Sequence, residues 1–160
     1  MEIKDLTIKQ MVENFRARKL SCVEVANDCL KRANASQNNE FITLDEANTL
    51  EFAKQSQKRY DNSENGIIEG IPVAIKDLFC TKGIRTTASS KMLAHNFAPP
   101  YESTVTSNLC KSGGVPFGKT NMDEFAMGSA NTTSFFGNVM NPLKPKSDKN
   151  KRLVPGGSSG

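Results

Sequence analysis

Residues 70–79 read GIPVAIKDLF, and this stretch decides the fold. Ile71, Val73 and Ile75 alternate with the residues between them, the two-residue period of a strand that turns one face to a core. Gly66 and Gly70 break the register just before it. The strand ends on Lys76 and Asp77, so a buried element delivers a lysine at its tip.

Toward the N-terminus the period changes to that of helices. Across residues 6–19, Ile8, Met11, Val12 and Phe15 share one face, with Lys9, Glu13, Arg16 and Lys19 largely opposite, which predicts an amphipathic helix. Ser21 followed by Glu24 has capping-box spacing, and Cys22, Ala26, Cys29, Leu30 and Ala33 make a second, small-residue stripe. The polar run NASQNNE ends that helix. A third helix is predicted over residues 45–59, with Ala47, Leu50 and Ala53 facing inward.

Toward the C-terminus a helix is predicted from Val105 to Cys110, closed by Gly113 and Gly114, and VPFGKTN then reads as a short strand and turn. Helices alternating with strands predict an α/β fold, a mixed β-sheet with flanking helices. No internal repeat is visible.

The chain has 160 residues, enough for one core that buries roughly 70% of the unfolded surface. Its 37% hydrophobic and 24% charged residues are a globular balance. The net charge of +4, from 21 basic and 17 acidic residues, is too small to imply nucleic-acid binding without a concentrated patch. The one basic stretch, residues 144–152, lies among Pro142, Pro145 and Pro155 and reads first as a solvated loop, with a phosphate or tRNA contact as the alternative. Cys22, Cys29, Cys80 and Cys110 lack the spacing of a zinc site or redox pair, so reduced structural thiols and no metal are expected. The acidic N-terminus lacks the apolar stretch of a secretory signal, and no run approaches the ~18 apolar residues of a membrane span; a cytoplasmic protein is expected.

Single motifs each have a plain reading. Lys76 alone would be a solvated strand end, and a GGSSG tail a flexible linker. GxxxxGKT is met literally by Gly113 to Thr120, but a phosphate loop follows a buried strand and opens a helix, whereas here LCKS precedes and Asp123 and Glu124 follow. His95 lies in AHNFAPP without metal-ligand spacing. Met127, Phe135 and Phe136 either wall a pocket or belong to the core.

Three segments together carry more: GIPVAIKDLF at 70–79, GKTNMDEFAMGSANTTSFFGNVMNP at 118–142 and VPGGSSG at 154–160. They resemble the amidase signature family, and NMDEFAMGS with Asn131 and Thr132 resembles most closely its branch of A subunits of aspartyl/glutamyl-tRNA amidotransferases. The resemblance implies that residues 1–160 are the N-terminal part of a single amidase domain, with 1–60 helical and 66–160 beginning the α/β core. It implies a Ser, cis-Ser, Lys triad in which Lys76 is the catalytic lysine and Ser158 the bridging serine, the nucleophilic serine lying in a later Gly-Gly-Ser turn past Gly160. Met127, Gly128 and Ser129 would contact substrate.

The same resemblance implies glutamine as substrate, B and C subunits as partners, misacylated Glu-tRNA(Gln) or Asp-tRNA(Asn) reached through the complex, and ATP with magnesium used by the complex rather than bound by this chain. A polypeptide lacking the nucleophile is expected to be inactive alone. Two alternatives stay open: another amidase-signature hydrolase of a small or fatty amide, and a non-catalytic scaffold or remnant of a split gene.

The residue types suit that chemistry. A lysine serves as general base near neutral pH when burial lowers its pKa from about 10.4 toward about 7 to 8, a shift of roughly 4 kcal/mol. Gly156 and Gly157 free the backbone before Ser158 from Cβ crowding.

Overall fold

The computed structural model describes residues 2–95, 97–143, 146 and 156. In chain order the elements are α1 (Ile8–Arg16), α2 (Cys22–Ala35), β1 (Phe41–Thr43), α3 (Glu46–Asp61), β2 (Pro72–Lys76), α4 (Thr104–Lys111) and β3 (Val115–Thr120), with single 3₁₀ turns at Ile3–Asp5 and Glu124–Ala126. The strands form one three-stranded sheet in the order β1-β3-β2. Strand β1 runs antiparallel to β3, Phe41 opposite Thr120, with a bulge before Thr43. The Val115 amide donates to the Ile71 carbonyl (2.8 Å) and the Asp77 amide to the Thr120 carbonyl (3.1 Å); positions advance together along both strands, so β2 and β3 are parallel. The sheet is mixed, as the alternation of elements predicts.

The chain folds as two compact units, the first Met1–Ala35, Leu44–Ala74 and Thr104–Phe117, the second Ser36–Thr43, Ile75–Ser103 and Gly118–Gly160. In the first, helix starts follow from local side chains. Thr7 and Gln10 form a complete capping box on α1, and Ser21 and Glu24 do the same at the start of α2, with Glu24 accepting from the Ser21 amide at 2.8 Å. The core of this unit is Phe15, Cys22, Val25, Ala26, Ala53, Ile71 and Val115. Burying one large apolar side chain such as Phe15 stabilises by about 1.5–3 kcal/mol. Gly70 has φ +76°, and a Cβ there would sit 2.3 Å from the Cys22 sulfur, so only glycine lets β2 begin this close to α2. Burial pushes the Cys22 thiol up to about 12, and none of the four cysteines forms a disulfide.

Some facing assignments differ from the pattern. Ile8 is 57% exposed and Ala47 is exposed; the buried residues of α3 are Thr49, Ala53 and Ser56. Thr49 is buried because its hydroxyl donates to the Pro116 carbonyl at 3.0 Å, a tertiary bond that hydrophobicity cannot register. Strand β1 falls within the span read as helical. Three residues are too few to display a period, and the strand exists through its pairing with β3.

Arg59 on α3 meets Glu69 just before β2, with Nε and Nη2 donating to one carboxylate oxygen at 3.0 and 2.7 Å and the Gly66 amide donating to the other at 2.9 Å. Burial alone would raise the Glu69 carboxyl, but its hydrogen bonds with Arg59, Ser56 and Gly66 outweigh that and hold it below the ordinary carboxylate range. Between the lowered folded value and the unfolded value of about 4.3 the unfolded chain binds more protons, so this stability is present above that window and lost as pH falls through it. Glu69→Gln is therefore expected to lower the melting temperature at pH 7 and to make its decline below about pH 5 shallower. An unchanged acid limb in thermal unfolding would show that Glu69 is not the titrating anchor.

Candidate active site

The second unit has an unusually polar interior. Asp77, Thr81, Thr86, Thr87, Ser89, Ser90, Lys119, Asn121, Asp123 and Asn131 are all buried there, and the great majority of buried polar groups in folded proteins are hydrogen-bonded. The network begins beside Lys76. That lysine closes β2, half-buried, between two buried neighbours, Ile75 and Asp77.

Asp77 is held at its backbone and its side chain. Its amide donates to Thr120 and its carbonyl accepts from the Ala88 amide at 3.0 Å. Its carboxylate accepts from the Thr87 amide at 3.0 Å, from the Thr87 hydroxyl, and from the Ser89 amide at 3.4 Å. Its other oxygen, Oδ1, has no hydrogen bond and lies 3.8 Å from Lys119 Nζ. Burial raises the Asp77 carboxyl in spite of those donors, and burial lowers the Lys119 amine.

Lys119 on β3 is 2% exposed. Its ammonium donates to the Phe79 carbonyl at 2.6 Å, the Thr86 hydroxyl at 2.9 Å and the Thr81 hydroxyl at 3.2 Å. The literal phosphate-loop match thus runs along a strand, its lysine consumed by protein acceptors, and no helix opens after Thr120 before the short Glu124–Ala126 turn. The phosphate-loop reading falls.

Residues 86–90 then join the 121–137 segment. Ala88 and Ser89 both have left-handed backbone, φ 49° and 54°, which turns amides and carbonyls in two directions. Phe125 donates to the Ala88 carbonyl and Phe135 to the Ser89 carbonyl, each at 2.9 Å. The Asn121 side-chain oxygen accepts from Ser134 at 2.6 Å and from Ser89 at 3.3 Å, while its amide nitrogen reaches the carbonyls of Asn39 and Gly137 at 3.1 and 3.0 Å. Asn131 accepts from the Val139 amide at 2.6 Å.

Asp123 organises the loop that follows. Its carboxylate accepts from the amides of Asn131, Thr132 and Thr133 at 3.0, 2.9 and 3.3 Å and from the Thr133 hydroxyl at 3.0 Å. Burial would raise this carboxyl, but the donors prevail and hold it below the usual range. Gly128 lies against it: a Cβ there would fall 2.2 Å from Asp123 Cγ, so no other residue fits without displacing the carboxylate.

The positions singled out from sequence fare differently. Met127 (74% exposed), Gly128 and Ser129 form one exposed stretch, strapped to Asp123 at its base. Phe135 is 48% exposed and meets Phe136 edge-on at 5.2 Å, so neither the pocket-wall nor the core reading describes it fully. His95 is exposed, and no cluster of His, Cys, Asp or Glu among the described residues could hold a metal. Ser158 and nearly all of the basic stretch 144–152 lie outside the described residues. No helix among the described residues is long and apolar enough to cross a membrane.

Sequence reasoning missed Asp77, Lys119, Asp123 and Asn121. The one available signal was a charge set directly in or after an apolar strand, as Lys119 is in VPFGKT and Asp77 is after PVAIK. The arrangement sets one half-buried lysine at the end of β2, and the next residue, Asp77, is bonded to residues 87–89.

Comparison with known proteins gives the arrangement a context. The family model described as Amidase matches residues 24–160. The A subunit of the glutamyl-tRNA(Gln) amidotransferase of Gluconobacter oxydans is 53% identical over 99% of this chain, which spans 32% of that relative. Among solved structures, a fatty acid amide hydrolase superposes with TM-score 0.83 at 25% identity, covering 98% of this chain and 27% of its own. The A subunit of the glutamyl-tRNA(Gln) amidotransferase of Thermotoga maritima does so with TM-score 0.65 at 27% identity, covering 99% of this chain and 31% of its own. The chain therefore spans about a third of the length of its relatives. Because the family model runs through residues 24–160, most of the chain, the chain belongs to the amidase family.

Proposed function

We propose that this chain supplies the lysine and bridging serine of a glutamine-hydrolysing amidotransferase. In this reading a serine beyond Gly160 attacks the glutamine carboxamide carbon while its proton passes through Ser158 to Lys76. The tetrahedral intermediate collapses, the C–N bond breaks, and Lys76 returns the proton through Ser158 so that ammonia leaves. Water then cleaves the acyl ester to give glutamate and free serine. The ammonia serves a B subunit that activates misacylated Glu-tRNA(Gln) or Asp-tRNA(Asn) with ATP and magnesium, and a C subunit completes a cytoplasmic assembly.

What supports the reading above all is the 53% identity to the Gluconobacter oxydans relative through the whole chain, with Lys76 standing at the end of a clamped strand. The greater structural likeness to the fatty acid amide hydrolase favours a second reading, a general amide hydrolase without partners.

A chimera decides between them. Residues 1–160 replace the corresponding third of the Gluconobacter oxydans relative, which contributes the remainder and its own partner subunits. Glutamine turnover and transfer to tRNA within about tenfold of the parent are expected, since a one-ångström displacement in a catalytic constellation already costs about a hundredfold. A folded, soluble chimera at background would overturn the amidotransferase reading in favour of a hydrolase whose first third cannot serve the complex. The 160-residue polypeptide assayed by itself is expected to read background; clear turnover would refute the assignment of the nucleophile.

A further inference from the structure

We infer that Asp77 and Lys119 are positioning residues for Lys76: a buried ion pair between β3 and the residue after β2 that fixes the strand tip from which the lysine works. The inference rests on the reading of Lys76 as the base. Its own support is geometric.

Lys119, on β3, and Asp77, the residue that follows β2, are 2% and 0% exposed at their side chains and 3.8 Å apart. Removing two charges from water is costly, and an apolar pair of similar volume would hold two strands together as well or better. The pair adds direction. The Lys119 ammonium gathers acceptors from three places, Phe79, Thr81 and Thr86, while the Asp77 carboxylate gathers donors from Thr87 and Ser89. Residues 77–89 are thereby pulled onto the end of β2, and the residue before Asp77 is Lys76. With Ile75 buried on one side and Asp77 bonded through amide, carbonyl and carboxylate on the other, Lys76 is flanked by two held residues. The glutaminase mechanism itself uses neither Asp77 nor Lys119, so it does not account for a buried charge pair at this spot.

The test uses the chimera with its partner subunits and compares Asp77→Asn, Lys119→Met, the double variant and Lys76→Ala. The single variants are expected to lower kcat by about 30- to 100-fold while KM for glutamine stays within about threefold, since the lysine is displaced but glutamine binding is not. The double variant removes both charges, so its melting temperature is expected to return toward the parent's. Its kcat is expected to stay low, because the directional bonds are still missing. Parental kcat recovered together with stability would mean that the pair only holds the fold, and the inference would fall. Should either single variant not fold, the double variant still decides. If Lys76→Ala remains active, the base assignment fails and the positioning role fails with it; if Lys76→Ala is dead and the pair variants keep parental kcat, only the positioning role fails.

Discussion

Lys76→Ala in the chimera is expected to abolish glutamine turnover, lowering kcat by about a thousandfold or more with KM little changed. General-base catalysis by a positioned side chain contributes about 10²- to 10⁴-fold, and a member of a nucleophile-base unit costs at the upper end because the unit acts together. Alanine leaves no proton acceptor at the tip of β2, and the surrounding scaffold stays whole, because Asp77 and Ile75 hold the strand by their own contacts. Ser158→Ala should produce a loss of the same order, and the two losses should not add, since either one breaks the same relay. Steady-state kinetics in parallel with thermal unfolding separate a lost base from a lost fold. Activity within tenfold of the parent would remove Lys76 from the mechanism.

Asp123→Ala should give the largest loss of stability in the second unit. One carboxylate satisfies three backbone amides and a hydroxyl there, and alanine would leave buried donors facing no acceptor at about 1–3 kcal/mol each. If even part of that is not recovered by water, about 3 kcal/mol is lost, a fall of roughly 6–12 °C in melting temperature for a chain of this size. Gly128→Ala reaches the same carboxylate from the other side, since its Cβ would sit 2.2 Å from Asp123 Cγ. It should loosen the exposed Met127–Ser129 stretch, raising KM for glutamine if those residues touch substrate and hastening amide exchange there in either case. A melting temperature unchanged to within about 1 °C in Asp123→Ala would mean that the 131–133 amides are held by something else.

Much of the framework was legible because it is encoded locally. Ser21 with Glu24 places the start of α2 by a contact spanning three residues, and the period of Ile71, Val73 and Ile75 places β2. Such signals need no knowledge of the rest of the chain. Strand β1 was illegible for the opposite reason. Its partner Thr120 lies far along the sequence, and its three residues are too short to carry a pattern of their own.

At the candidate site the division is similar. By itself the sequence determined the mixed α/β class, the strand that ends on Lys76 and, through the motifs at 70–79, 118–142 and 154–160, the family. Only the tertiary structure decided that Lys119 belongs to a buried pair and not to a phosphate loop, that Asp77 ties residues 87–89 to the strand tip, and that Asp123 anchors residues 131–133. Periodicity reports which faces avoid water. The partners of a buried charge come from distant segments, and their positions exist only once the chain has folded around it.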